Sequence, residues 1–378
     1  MKLEQRQWTP ATGWTPSGTQ LKDTAQLVLA FGGTAILSDG ERLRELRACY
    51  PKAHLFGCST AGEICGTRVT DDSVVMTAVR FEATNLALAH VDVAECASSR
   101  EAGERLAKAL DPKGLAHVVV LSDGQHVNGS ELVLGLMAHL PRGVVVTGGL
   151  AGDGARFERT VVCVDDVAKE GQVGVLGLYG TRLKVGYGSL GGRDSFGPER
   201  LITRSKGNVL YELDEQPALD LYKRYLGEHA RGLPATGLLF PLSVRNPEGE
   251  REVVRTILSV DEQAQSLTFA GDVPHGAYAR LMKANFDRLV DGAHGAAKTS
   301  YEALGSQSPE LAILISCVGR KLVLKQRTEE ELEAVRSVLG EGATLTGFYS
   351  YGEICPAAPN ADCELHNQTM TITTFSER

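Results

Sequence analysis

Three short stretches of this sequence set a carboxylate directly after a glycine, with hydroxyl or aromatic side chains close by that could hold a polar ligand. Gly57-Cys58-Ser59-Thr60-Ala61-Gly62-Glu63-Ile64-Cys65 and Gly347-Phe348-Tyr349-Ser350-Tyr351-Gly352-Glu353-Ile354-Cys355 agree at five of nine positions without a gap, and Ala151-Gly152-Asp153 ends a looser third copy. Ser59 and Thr60 supply hydroxyls; Glu63, Asp153 and Glu353 could bind a ligand amine or equally accept backbone N–H bonds that stabilise the turn. Tyr349 and Tyr351 are two apart, so on an extended segment they share a face, fit to stack on a flat ligand or to fill a core. Arg320 follows an apolar run and suits an anionic group such as a carboxylate, a solvated surface arginine being the alternative. Catalytic patterns are missing: there is no H-E-x-x-H and no G-x-S-x-G. Cys58 and Cys65 read as small buried residues rather than nucleophiles.

The elements that must position these turns repeat as well. Ser38-x-x-Glu41, Asn128-x-x-Glu131 and Thr328-x-x-Glu331 resemble capping boxes, and each precedes its glycine (Gly62, Gly152, Gly352) by the same 24 residues. An amphipathic stretch and a short apolar run fill each interval. A β-rich run precedes each cap: Gln26 to Phe31, His117 to Leu121 and Leu311 to Cys317. Strand, helix, strand is a βαβ crossover with parallel strands. After each turn the chain again reads as extended, so the sheets are mixed, and no helix follows the glycines to hold a phosphate as Rossmann and P-loop folds require. Between the second and third units, the sequence predicts a short helix from Pro217 to Leu226 capped by Asp214. Antiparallel strands are expected at Leu238 to Val244, Arg251 to Val260 and Ser266 to Ala270, with a turn at Asn246-Pro247-Glu248-Gly249. A long helix is expected from Ala277 to Leu304.

Composition sets the outer bounds. A net charge of −8 without any basic block argues against nucleic acid and anionic membranes as partners. The N-terminus has no signal-like apolar core and no run of 18 apolar residues follows, so a cytoplasmic protein is expected. Eight cysteines without a C-x-x-C pair are too sparse for a disulfide framework and poorly spaced for zinc. The expected fold is α/β, with mixed sheets built from repeated βαβ units in two intertwined parts. Residues 1–20 form an N-terminal arm whose Trp8 and Trp14 anchor it or meet a partner, 21–222 a first domain and 223–378 a second.

Taken in order, Phe56 to Ile64, Gly148 to Asp153, Gly207-Asn208-Val209-Leu210-Tyr211-Glu212-Leu213 with Pro217-Ala218-Leu219, Cys317-Val318-Gly319-Arg320, Gly347 to Ile354 and His366-Asn367-Gln368-Thr369 resemble the FIST family, over nearly the whole chain after about Leu21. The resemblance implies a sensory module that binds a small ligand and signals through a separate protein, such as a histidine kinase or a cyclic-di-GMP enzyme. Some relatives are nitric-oxide-responsive haem proteins; among nine histidines, His126 in a strand-end loop and His366 in the family-like motif are the candidate axial ligands. A haem-free sensor of amino acids or other metabolites, and an enzyme using the cleft between the two parts, are the alternatives. A second copy of the chain is a further partner open to it. Glu63, Asp153, Glu353, Tyr349, Tyr351 and Arg320 are expected to border one shared cleft between the two parts.

Overall fold

The computed structural model describes residues 1–165, 167–247, 252–358 and 361–377. Three βαβ units are present. Strands Leu27–Gly32 and His54–Ser59 run parallel around helix Glu41–Cys49; Leu115–Ser122 and Val145–Leu150 run parallel around helix Gly129–His139; Leu311–Cys317 and Thr344–Ser350 run parallel around helix Thr328–Leu339. The leading strands bury both faces, and their alternation divides two cores. Leu29, Phe31, Val119, Leu121, Ile313 and Ile315 point into one shared centre together with Phe348. Their neighbours Val118, Val120, Ala312 and Leu314, and Val28 and Ala30, pack outward in separate clusters with the helices.

After its glycine turn, each unit gives its next strand to a different sheet. Glu63–Cys65 pairs antiparallel with Thr344–Ser350 of the third unit, Gly352–Pro356 with Val145–Leu150 of the second, and Val162–Val164 with His54–Ser59 of the first. The hand-over closes into a ring. Each unit then returns a strand antiparallel to its own leading strand: Val74–Arg80, Gln172–Tyr179 and Met370–Ser376. All three sheets thus share one strand order. A fourth, antiparallel sheet of eight strands spans residues 193–284 around its own core and carries helix Ala218–Leu226.

Several local expectations are corrected. Of the three caps only Asn128 acts as one, accepting from Ser130 N and Glu131 N. Ser38 ends a preceding short helix and donates to Thr34 O, Gly40 holds the cap position before Glu41, and Thr328 already lies inside its helix. Asp214 accepts from Leu201 N and Arg200 instead of capping the next helix, whose cap position is Pro217. The stretch expected as helix from Ala277 begins as strand Tyr278–Ala284, paired on both sides, and the helix starts only at Phe286 after the Asn285 cap. The run from Leu238 is 3-10 helix until Leu239, with strand Leu242–Arg245 following it. The expected strand from Arg251 to Val260 is two strands, Glu252–Arg255 and Ile257–Asp261; its Arg251, and Glu248 and Gly249 of the expected turn, lie outside the described residues. Residues 1–20, expected as an arm, place strand Lys2–Thr9 in the first sheet against Val74–Arg80. Trp8 lies under Arg42 and Trp14 Nε1 donates to Glu45 Oε2 at 2.7 Å, which fastens helix Glu41–Cys49.

Candidate functional site

The C-terminal ends of the parallel strands converge where the three units meet, the side on which open α/β sheets bind ligands. In the first unit Thr60 Oγ1 donates to Glu63 Oε1 at 2.5 Å, and Glu63 Oε2 accepts from Ser73 N and Oγ at 3.2 and 2.7 Å. The third unit repeats this circuit: Ser350 Oγ donates to Glu353 Oε1 at 2.6 Å, and Thr369 N and Oγ1 donate to Oε2 at 3.2 and 3.0 Å. Burial pushes Glu63 up to about 7 and Glu353 to about 8, with the hydroxyl bonds pulling the other way. In the second unit Leu150 stands where the hydroxyl would be, and the carboxylate turns elsewhere. Asp153 Oδ1 accepts from Thr34 Oγ1 at 2.7 Å and from Arg156 Nε and Nη2 at 3.0 and 2.5 Å. Burial works to raise its pKa, but Arg156 and Thr34 outweigh it and hold the group below the ordinary range.

Beside this break in the repeat lies a cavity of about 490 Å³, lined by Thr60 and Glu63 of the first turn, Asp71 and Asp72, Arg156 of the second turn, and Lys321 and Lys325 from the helical segment that follows the third unit's leading strand. Lys321 sits on helix Val318–Leu324 and donates to Ala61 O at 2.9 Å and to the Asp71 carboxylate. Gly62 has φ +140°, a conformation that L side chains rarely adopt, and an added Cβ would lie 2.6 Å from Lys321 Nζ. Asp72 and Lys325 are both exposed and make no side-chain hydrogen bond or ion pair among the described residues.

Only Thr60 and Glu63 of the residues singled out in the sequence line this cavity. Ser59 is buried and its Oγ accepts from Val161 N. Asp153 stands behind the wall, holding Arg156. Tyr351 stacks on Phe157 with centroids 4.2 Å apart and donates to Gly154 O, so it supports the second turn from beneath. Tyr349 and Tyr351 are both fully buried, which corrects the stacking surface expected of them. Tyr349 donates to Glu331 Oε1 at 2.5 Å. Arg320 is also corrected: it has no exposed surface, and its Nε and Nη2 lie 3.0 and 2.9 Å from Glu331 Oε2. The segment that follows the apolar run is helical, so consecutive residues point about 100° apart; Arg320 enters the core while Lys321 reaches the cavity. Reading that segment as a helix would have exposed Lys321 as the candidate.

Glu353 lies away from the cavity, in a clasp between the three-sheet body and the fourth sheet. Next to its partner Thr369, Gln368 Oε1 accepts from Arg193 Nη2 at 2.5 Å, Gln368 Nε2 donates to Thr256 Oγ1 at 2.9 Å, and Asn367 Oδ1 accepts from Thr256 N at 3.2 Å. The His-Asn-Gln-Thr segment is therefore a fastening. His366 Nε2 lies 2.8 Å from Cys355 O, and His126 Nδ1 lies 3.1 Å from Asp123 Oδ1 on a half-exposed side chain. Neither histidine borders this cavity. No group of three or more His, Cys, Asp or Glu that could hold a metal ion occurs among the described residues.

The chain matches two family models, the FIST N domain over residues 26–216 and the FIST C domain over residues 218–356. No curated protein matches it. Among solved structures it is similar to a cyanuric acid hydrolase from A. caulinodans, at 10% identity and a TM-score of 0.36 over 100% of this chain and 99% of that one. It is also similar to a chorismatase, at 11% identity and a TM-score of 0.35 over 99% of this chain and 98% of that one. Likenesses this distant assign no chemistry.

Proposed function

Because the chain belongs to the FIST family of small-ligand sensory domains in signalling, we propose that it is a sensor whose ligand occupies the 490 Å³ cavity at the junction of the three units. The observation that carries this reading is the lining: Arg156, Lys321 and Lys325 face Glu63, Asp71 and Asp72, and Asp72 and Lys325 have no hydrogen-bonded or ion-paired side-chain partner among the described residues. Such a wall complements a small zwitterion, its carboxylate towards Lys325 and its ammonium towards Asp72, so the class is an amino acid or a metabolite of similar size. Three units contribute to the wall, so a ligand that prefers one arrangement of them shifts the population of that arrangement. The output is then a change in the surface offered to a separate signalling protein.

Haem-based nitric oxide sensing through a histidine kinase or cyclic-di-GMP enzyme is the finer reading that the family suggests. The placement of His126 and His366 gives it no support, and the haem-free sensor is the reading we adopt. An enzyme would draw on Thr60 and Glu63, a hydroxyl against a carboxyl poised near neutrality. The third unit builds the same pair from Ser350 and Glu353 away from the cavity, which favours a turn-holding role for both.

Differential scanning fluorimetry against the amino acids tests the proposal, since a ligand at a hundred times its Kd adds about 2.7 kcal/mol to native stability. At least one amino acid should raise Tm, and Lys325→Ala and Asp72→Asn, both at exposed positions, should abolish the rise. No shift with any amino acid, or shifts untouched by both substitutions, would sink the reading. Uptake of haem with a visible spectrum would replace it, and turnover of a bound metabolite without a partner would restore the enzyme.

A further inference from the structure

A second cavity, of about 250 Å³, lies between helix Gly129–His139, strands Leu242–Arg245 and Glu252–Arg255 of the fourth sheet, and strand Cys363–His366. Its wall is largely apolar, from Val133, Val244, Val253, Leu365 and the half-exposed Leu134. Set into this wall is Arg255, 7% exposed. Nε donates to Asp272 O at 2.9 Å, and Nη1 to Leu365 O and Val254 O at 3.1 and 3.3 Å. These partners are neutral carbonyls. Among the described residues no carboxylate forms an ion pair with the guanidinium, and Nη2 has no hydrogen-bond partner. Ser130 Oγ accepts from Asp272 N at 3.3 Å and keeps its own proton to give. A Cβ on Gly271 would lie 2.8 Å from Ser130 Oγ and 3.1 Å from Arg255 Nε, so both groups face the same small space.

A buried guanidinium whose hydrogen bonds all go to neutral carbonyls is costly, and its planar fork matches a carboxylate. Burial pulls Arg255 down to about 10, with Asp272 and Glu364 opposing, so it stays charged at neutral pH. Asp272 and Glu364 also line the cavity, and Asp272 Oδ1 is taken by Asn128 Nδ2 at 2.7 Å. These two carboxylates limit the negative charge that an occupant can carry. The volume equals roughly eight waters, enough for an acid of about ten heavy atoms.

We propose that this cavity is a second ligand site, one that takes a small monocarboxylate with an apolar tail. Its carboxylate rests on Arg255 Nη2 and Ser130 Oγ, and its tail on Val133, Val244, Val253 and Leu365. The site stands whether or not the junction cavity binds a zwitterion. Isothermal titration of the full chain with hexanoate, hexan-1-ol and adipate tests it. Hexanoate should bind at least about tenfold more tightly than the other two, since a charge-assisted bond contributes about 1.5–3 kcal/mol and a second carboxylate is repelled. Arg255→Met should abolish hexanoate binding. Should that variant fail to fold, Leu134→Glu decides, because it adds a negative charge at an exposed position. It should weaken hexanoate about fivefold more than it weakens hexan-1-ol, because the alcohol feels only the change of wall and the acid feels the added charge as well. Equal affinity for acid and alcohol, tight adipate binding, no heat from hexanoate at about 10 mM, or indifference to Leu134→Glu would each overturn the proposal.

Discussion

Replacing Glu331 by alanine should be among the most damaging single changes in the molecule. Both members of the Arg320–Glu331 pair have fully buried side chains, with Nη2 and Oε2 2.9 Å apart. Glu331 Oε2 takes two bonds from the guanidinium, and Oε1 takes the Ser316 hydroxyl at 3.0 Å and the Tyr349 hydroxyl at 2.5 Å. Alanine strips all four bonds and leaves Arg320 with Leu289 O at 2.6 Å and Gln368 O at 3.5 Å. Breaking a buried pair from one side costs about 3–5 kcal/mol, against about 1 kcal/mol for an ordinary neutral hydrogen bond, so the stranded charge sets the scale. Urea unfolding should show a loss of about 4 kcal/mol with m unchanged. Arg320→Met strands an acid instead, which can take up a proton. Arg320→Met/Glu331→Leu should recover most of either single loss. A Glu331→Ala loss under about 1 kcal/mol, or a double variant as weak as the sum of the singles, would refute the reasoning.

Two further outcomes follow from the turns. Glu353 is raised from 4.5 to about 8, so between those values the native state keeps a proton that the unfolded chain releases, and stability falls as pH rises; Tm measured from about pH 6.5 to 8 should drop, by about 2 kcal/mol in stability, and Glu353→Gln should flatten the slope. Gly347 has φ +154° and an added Cβ would lie 1.8 Å from Leu314 O, backbone that cannot step aside, so Gly347→Ala should cost more than about 3 kcal/mol and sharply cut the yield of folded protein, read by circular dichroism after expression.

Much of the body is legible in the sequence because it rests on local signals. Apolar runs such as Leu311 to Cys317 read as strands buried on both faces, and the fixed distance from helix start to glycine marks the unit even though two of its three supposed caps do no capping. Which sheet receives Glu63–Cys65 is not legible, since pairing with Thr344–Ser350 is decided by contacts almost 300 residues away and not by propensity. Tyr278–Ala284 misleads for a related reason: Leu, Met, Lys and Ala favour helix, and two flanking strands override them. In the site, the acidic turns are visible but their partners are not. Glu63 and Glu353 share one sequence pattern, and only packing leaves the first beside a cavity and ties the second into the clasp on the fourth sheet.

The circular hand-over of strands also sets a timetable for synthesis. The first sheet can acquire its outer strand as soon as Val162–Val164 has left the ribosome. The second cannot: strand Val145–Leu150 is made early, yet its neighbour Gly352–Pro356 arrives some 200 residues later. At about 5–20 residues per second the nascent chain carries that open β edge for ten seconds or more. An unpaired edge is a template for the wrong strand, including the same edge on a neighbouring nascent chain. Slowed elongation, or a premature stop before Gly352, should therefore yield aggregates rather than a stable amino-terminal half.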